Sequence, residues 1–393
     1  MTTFASKINN LLEKEKRITM KFLHTADLHL GKIVSGVSML AEQEYILAQI
    51  TKIAQEEKVD ALILAGDLYD RAVPPADAVR VLNDILVKWN VELGIPIFAI
   101  SGNHDSAERL SFGSQWYESS KLYMKGKCTA DFEAIAFMDA EVWLVPYHEP
   151  AIIREVFGDN SIRSFEDAMQ AVTKQIRSKW DPSKAQILVG HAFVSGGIPS
   201  DSERQLAIGN VDRVSTNCFD GFTYTALGHL HHPHAIRHPK IFYSGSPLKY
   251  SFSEVSDKKS VRIVEIEGNS LVSVTERLLT PKHDMRIISG TLAELTENLV
   301  EKPDDFFQVN LMDEGALIDP MGKLRQFYPN ILHLERKKQQ LKESQASFEE
   351  VMKKDDLELF GQFFEYVNGT ELTDVQKQQL TEVFELARKE DAE

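Results

Sequence analysis

Five times in this chain a short apolar run ends on a residue able to hold a metal ion, and that recurrence restricts the fold more than any other feature. Lys21–Ala26 leads into Asp27 and His29 in D-L-H, Ala61–Ala65 into Asp67 in G-D-L-Y-D, and Ile95–Ile100 into Asn103 and His104 in G-N-H-D. Ile187–Val189 leads into His191 in G-H, and Thr223–Leu227 into His229 and His231 in G-H-L-H. Such runs read as strands, and ligand-type residues directly after strands fall in the loops where an α/β fold builds its sites. The amphipathic stretches Met39–Glu57 and Pro75–Leu93 lie between the first three runs, so strands alternate with helices. Phe132–Phe137 and Glu141–Val145 flank the Met138-Asp139-Ala140 turn, and Arg262–Ile266 and Leu271–Thr275 flank Gly268-Asn269, as in antiparallel hairpins. The expected fold is an α/β sandwich of mixed sheets covered by helices.

The five strand ends together supply four imidazoles, two carboxylates, one carboxamide and a spare histidine. Oxygen and nitrogen donors in that mixture fit a two-metal site, with Asp67 as the natural bridge because a carboxylate has two oxygens and offsets the repulsion between cations. Gly66, Gly102, Gly190 and Gly228 stand beside the ligands and let the backbone turn tightly. Imidazole, carboxylate and carboxamide in one set favour manganese or iron over magnesium, and two Mn²⁺ ions are the expected cofactors.

A net charge of −15 argues against a general polyanion binder, since Lys and Arg supply most nonspecific affinity for nucleic acid. An acidic surface around divalent cations can still accept a phosphodiester locally. Cys128 and Cys218 are far apart and form no C-x-x-C pair, which excludes a disulfide framework and a thiolate zinc site. With no apolar signal core and no membrane-length run, the expected location is cytoplasmic. The loop 196–201 is followed by no G-K-[ST], so no ATP site is expected.

At 393 residues the chain should hold more than one domain. Residues 1–19 read as an N-terminal extension, with Met20 the natural start, or alternatively as a genuine helix. The main domain is expected over 20–280, a small β-α-β-α-β domain over 281–336, and a polar linker with two helices over 337–393. In those helices Phe360, Phe363, Phe364 and Val367, and again Leu380, Val383, Phe384 and Ala387, repeat at helical spacing. Each set makes one apolar face, which either closes a hairpin on itself or docks on a partner.

In this order, D-x-H, G-D-x-x-D, G-N-H-D, G-H and G-H-x-H resemble the calcineurin-like metallophosphoesterase superfamily. The strings M-K-F-L-H-T-A-D-L-H-L-G-K, A-G-D-L-Y-D-R-A-V-P-P, I-S-G-N-H-D-S-A-E-R-L and Y-S-G-S-P-L-K-Y resemble the SbcD-like nucleases within it. The resemblance implies one metal on Asp27, His29, Asp67 and His231 and the other on Asp67, Asn103, His191 and His229. It leaves His104 for general acid work or charge stabilisation, with Asp70 as the residue that orients it. It further implies a metal-dependent DNA nuclease, both 3′-to-5′ exonuclease and endonuclease, that opens hairpins and serves DNA repair, recombination and replication. Its partner would be an SbcC-like SMC-type ATPase, within a heterotetramer that contains a homodimer of this chain. The small domain would then cap the site and bind DNA, and the C-terminal helices would seat on the ATPase.

Lys32, Arg71, Arg109, Arg204 and Lys249 stand near motif loops and are candidates to neutralise phosphates. Tyr250 and Phe252 either stack on a base or pack a domain junction, packing being favoured. Two rivals remain: a phosphodiesterase acting on small nucleotides or phosphoproteins, and a DNA-end scaffold without activity. The material after Pro281 speaks against the first, and intact Asp67, Asn103 and His104 against the second.

Overall fold

A computed structural model describes residues 19–197, 199–203, 213–315, 317–336, 356–368 and 371–390, with backbone alone at 356, 366–368 and 385–390. Residues 1–18 of the N-terminal extension, Arg204, most of the polar linker, and the side chains of Val367 and Ala387 therefore lie outside the described residues, while Thr19 already belongs to the first strand.

The strands are β1 (Thr19–Thr25), β2 (Ala61–Ala65), β3 (Ile97–Ile100), β4 (Leu122–Lys125), β5 (Ile135–Phe137), β6 (Ala140–Val145), β7 (Ala185–His191), β8 (Tyr224–Gly228), β9 (Ile241–Tyr243), β10 (Ser260–Glu267) and β11 (Ser270–Leu278), followed by β12 (Met285–Gly290), β13 (Phe306–Leu311) and β14 (Ile331–Arg336). The principal helices are α1 (Leu40–Glu57), α2 (Ala76–Leu86), α3 (Pro150–Phe157), α4 (Phe165–Arg177), α5 (Leu292–Glu297), α6 (Pro320–Arg325), α7 (Asp356–Asn368) and α8 (Asp374–Glu390). One sheet has the order β11-β10-β1-β2-β3-β4 and a second the order β9-β8-β7-β6-β5. Both are mixed: β1 to β4 run parallel while β10 pairs antiparallel with both β1 and β11, and β6 to β9 run parallel against an antiparallel β5.

Side-chain alternation sorts these strands into layers. Ala61, Ile63 and Ala65 of β2 join Ile187, Val189, Tyr224 and Ala226 in a core between the two sheets. Leu62 and Leu64 face the other way, onto Ile46, Ile50, Val81 and Leu82 of α1 and α2. The second sheet sends Trp143 and Leu188 outward against Met169, Val172 and Ile176 of α4. Strands covered on both faces are apolar at their centres, which is why β2 and the Ile187–Val189 core of β7 read as unbroken runs.

Three differences from expectation have physical reasons. The helix expected over Pro75–Leu93 is α-helical only to Leu86 and then widens, with Leu93 N donating to Lys88 O at 3.0 Å. The extra residue per turn keeps Trp89 fully buried, where its indole N–H donates to Thr51 Oγ1 at 2.8 Å. In the first hairpin Ala140 belongs to β6 rather than to the turn, which closes through Met138 at φ +52°. Strand β4 and helices α3 and α4 were not anticipated, although α4 carries the capping box Ser164/Asp167. Trp89→Ala should cost about 3–5 kcal/mol through formation of a cavity, while the Thr51 hydroxyl keeps its bond to the Leu47 carbonyl, measured by urea unfolding of the full chain in chelator.

The described residues divide into two compact units at Met285/Arg286. In the second, β12-β13-β14 form a three-stranded sheet whose core holds Ile288, Leu295, Phe307, Val309, Leu324 and Tyr328, with α5 and α6 in the β-α-β-α-β order expected. Helices α7 and α8 meet through Phe360 and Phe384, ring centroids 6.1 Å apart, while Phe363 stays 59% exposed. One aromatic pair thus closes the hairpin, and a neighbouring phenyl faces solvent.

Candidate metal centre

The C-terminal ends of parallel strands carry the donors: Asp27 and His29 after β1, Asp67 after β2, Asn103 and His104 after β3, His191 at the end of β7, and His229 and His231 after β8. Adjacent loops are tied by backbone, with Asp27 N donating to Gly66 O and His29 N to Asp67 O, both at 3.0 Å. Asp27, His29, Asp67 and His229 take φ of +54°, +45°, +49° and +105°. Such conformations cost non-glycine residues on the order of 1–3 kcal/mol each and gather where function demands a geometry. Glycine is obligatory at two neighbours, since a Cβ on Gly102 would meet Asp67 Oδ1 at 2.1 Å and one on Gly66 would meet His191 Nδ1 at 2.4 Å.

One oxygen, Asp67 Oδ2, stands 3.6 Å from His29 Nε2 and 3.5 Å from His191 Nε2. To one side, His29 Nε2 faces His231 Nε2 at 3.1 Å, and Asp27 joins them with all three ligand atoms within 4.8 Å of one another. To the other, Asn103 Oδ1 is 3.0 Å from both His191 Nε2 and His229 Nδ1. Separations near 3 Å suit donors that share one ion through bonds of about 2.0–2.2 Å.

The donor set fits divalent cations. Asp27, His29, Asp67, His191, His229 and His231 are all at most 4% exposed, so water cannot offset the carboxylate charge. The Asn103 amide nitrogen is buried without a hydrogen-bond partner, leaving that side chain engaged through its oxygen alone. Among protein groups only, burial pushes Asp27 well above the usual carboxylate range. Burial acts the same way on Asp67, but His191 and His29 outweigh it and hold this carboxyl far below that range. Burial would lower His191, yet Asp67 and Asp27 lift it to about 9. Burial takes His29 well below its ordinary value, His229 down to about 3, and His231 down against the pull of Glu254. His29, His229 and His231 are thus neutral beside the ionised Asp67, the state in which imidazole binds metal, whereas His191 would give up its proton to a cation.

His104 stands apart from this set. Its Nδ1 lies 2.8 Å from the Asp70 carbonyl oxygen, its backbone N–H donates to Asp67 Oδ1 at 2.8 Å, and its ring is 4.7 Å from that of His29. Asp70 therefore meets His104 through its main chain, while its carboxylate pairs with Lys32 at 2.9 Å and lies 3.8 Å from His29 Nδ1. Lys249 is held by Asp284 at 2.9 Å and by the Val255 carbonyl, whereas Arg71 and Arg109 are exposed. Tyr250 is buried, and its hydroxyl donates to the Leu28 carbonyl at 2.5 Å, so it packs under the first loop instead of stacking on a base.

Several supporting residues escaped sequence reasoning. Asp105 accepts from Leu68 N, Tyr69 N and Gly102 N at 2.9–3.0 Å and so locks the second and third loops together. Its place inside G-N-H-D was the available signal. Gln43 of α1 donates to the Leu28 and His29 carbonyls, a role no pattern in an amphipathic helix reveals.

Comparison with known proteins agrees with this architecture. A family model for calcineurin-like phosphoesterases matches residues 20–233, and one described as the type 5 capsule protein repressor C-terminal domain matches residues 281–368. The SbcD component of the nuclease SbcCD of Staphylococcus epidermidis (strain ATCC 12228 / FDA PCI 1200) is 37% identical over 363 residues, 92% of this chain and 97% of its own. The solved structure of Yfce, a phosphoesterase from E. coli, covers 65% of this chain and 98% of its own at 14% identity, with a TM-score of 0.26 that is too low to establish a shared fold by itself. From the motif-bearing strand ends and the family match over more than half its length, the chain belongs to the calcineurin-like phosphoesterase family and, within it, to the relatives of the SbcD component of nuclease SbcCD.

Proposed function

We propose that this chain is a metal-dependent DNA nuclease, exonuclease from 3′ ends of duplexes and endonuclease on single strands and hairpins, working with an SbcC-like SMC-type ATPase in DNA repair, recombination and replication. The observation that carries the reading is the single oxygen, Asp67 Oδ2, facing two histidine-lined donor groups at 3.6 and 3.5 Å, with His104 beside them and outside both. Asp27, His29, Asp67 and His231 would hold one divalent cation, and Asp67, Asn103, His191 and His229 the other, with manganese the preferred ion. When bound, such a pair supplies a nucleophilic water at neutral pH and neutralises the phosphoryl oxygens. His104 donates its Nδ1 proton to the Asp70 carbonyl, which leaves Nε2 to hold a proton for the departing oxygen.

The relative is one component of a larger nuclease, which supports an assembly with a second protein, and the match over 281–368 supports a specialised C-terminal part. In this reading residues 281–336 cap the site and engage DNA, Phe363 and its neighbours seat on the ATPase, and the chain pairs with a second copy in a heterotetramer. Cys128 and Cys218 are both free and buried, which suits a cytoplasmic location. No helix among the described residues is long and apolar enough to cross a membrane.

The test is cleavage of end-labelled duplex and hairpin DNA by the full chain with Mn²⁺, with and without the ATPase, beside a small phosphodiester. DNA products that depend on Mn²⁺ are expected. Turnover of the small ester alone would transfer the assignment to a small-molecule phosphodiesterase.

A further inference from the structure

His231 is gripped at three points by residues that none of the ligand motifs contain. Its ring Nδ1 is 2.6 Å from Ser202 Oγ, and that hydroxyl in turn donates to Glu254 Oε1. Its backbone N–H donates to Glu203 Oε1 at 2.6 Å, and its carbonyl accepts from Lys259 Nζ at 2.9 Å. Lys259 also pairs with Glu254 Oε2 at 2.6 Å, and Glu254 is 1% and Lys259 4% exposed. The chain of donors has one consistent direction. Since Ser202 gives its proton to a carboxylate, it must accept from His231, which places the imidazole proton on Nδ1 and the lone pair on Nε2. That Nε2 is the atom facing His29 Nε2.

The other ligand histidines are held differently. His191 Nδ1 meets the Ala65 carbonyl at 2.9 Å, His229 turns its Nδ1 into the site, and His29 Nδ1 has no hydrogen-bond partner. Among the described residues, His231 is the ligand histidine whose outer nitrogen is linked to a carboxylate through a hydroxyl.

We propose that Ser202 and Glu254 are positioning residues that hold His231 in its Nδ1–H tautomer and thereby set the affinity of one of the two metal positions. This rests on the reading of His231 as a ligand. A carboxylate-backed imidazole is the more basic donor, and loss of such outer partners weakens metal binding by about 10–100-fold. The Lys259 ammonium, 2.6 Å from Glu254 Oε2, pairs with this buried carboxylate and keeps it an acceptor for Ser202.

Mn²⁺ titration calorimetry on the full chain, with the melting temperature of the chelated protein read in parallel, tests the relay. Ser202→Ala should weaken one of two Mn²⁺ equivalents by about 10–100-fold at an unchanged chelated melting temperature, and Ser202→Thr, which keeps the hydroxyl, should restore it. Glu254→Gln should weaken the same equivalent. Wild-type affinity in Ser202→Ala would overturn the proposal, as would equal loss at both positions with a lower chelated melting temperature, which marks a packing role. His231→Ala separates the two readings: retention of both equivalents at wild-type affinity would refute the ligand assignment itself, whereas loss of one equivalent beside a normal Ser202→Ala would refute the relay alone.

Discussion

Asp67→Asn should strip the protein of bound divalent metal and lower phosphodiester cleavage by roughly three to four orders of magnitude, the equivalent of the several kcal/mol that a two-metal clamp contributes. The substitution is nearly isosteric, and Asp67 Oδ1 can be replaced by the amide oxygen as acceptor for the His104 N–H. The amide NH₂ then points to where Oδ2 faces His29 and His191, presenting donor protons in place of a lone pair. His191 is affected as well, since the Asp67 charge is the main support for its raised pKa of about 9 against the cost of burial. Elemental analysis of the dialysed protein, with cleavage rates at saturating Mn²⁺, measures both effects. A fully loaded and active variant would remove Asp67 from the bridging position.

The second large effect is of another kind. His104→Ala should keep both metal equivalents while reducing turnover by about 10²–10⁴-fold, the usual contribution of a positioned acid or base. Its imidazole is anchored on the Asp70 carbonyl, outside the two donor groups that share Asp67 Oδ2. His29, Asp70 and His104 do bring ligand-type atoms within 4.8 Å of one another, so metal content discriminates sharply. Anomalous scattering that showed a depleted metal position in His104→Ala would make His104 a ligand instead of a proton donor.

The sequence disclosed the strands most readily where burial on both faces made them uniformly apolar. Ala61–Ala65 has the limits expected of it, whereas β4, with Lys125 at its end, had no such contrast. The proposed ligands were visible because each lies at the end of such a strand or within four residues after it, so order along the chain stood in for proximity. Their supports were not. Ser202 and Glu254 lie 29 and 23 residues from His231, on segments without strand or helix periodicity, and meet it only through tertiary folding. Asp70 shows the limit of motif reading: its position was informative, but the atom facing His104 is the carbonyl, which any residue would supply.

Strand β1 lies inside its sheet, paired on one side with β2 and on the other with β10, where Thr19 opposes Glu267 and His24 opposes Arg262. On the ribosome that arrangement imposes a schedule. At about 5–20 residues per second, β1 emerges roughly 10–50 s before β10 exists to cover its second edge. Once β2 has emerged, the nascent chain still carries a strand with one open edge, bearing Met20, Phe22 and Leu23, all fully buried in the finished protein. A sticky edge of that kind is a template for pairing with another copy, so the early chain is a natural client for a chaperone at the exit tunnel. Ribosomes stalled shortly before codon 260 should accumulate aggregation-prone chains, and those stalled some forty codons beyond 267, with β10 clear of the tunnel, should not.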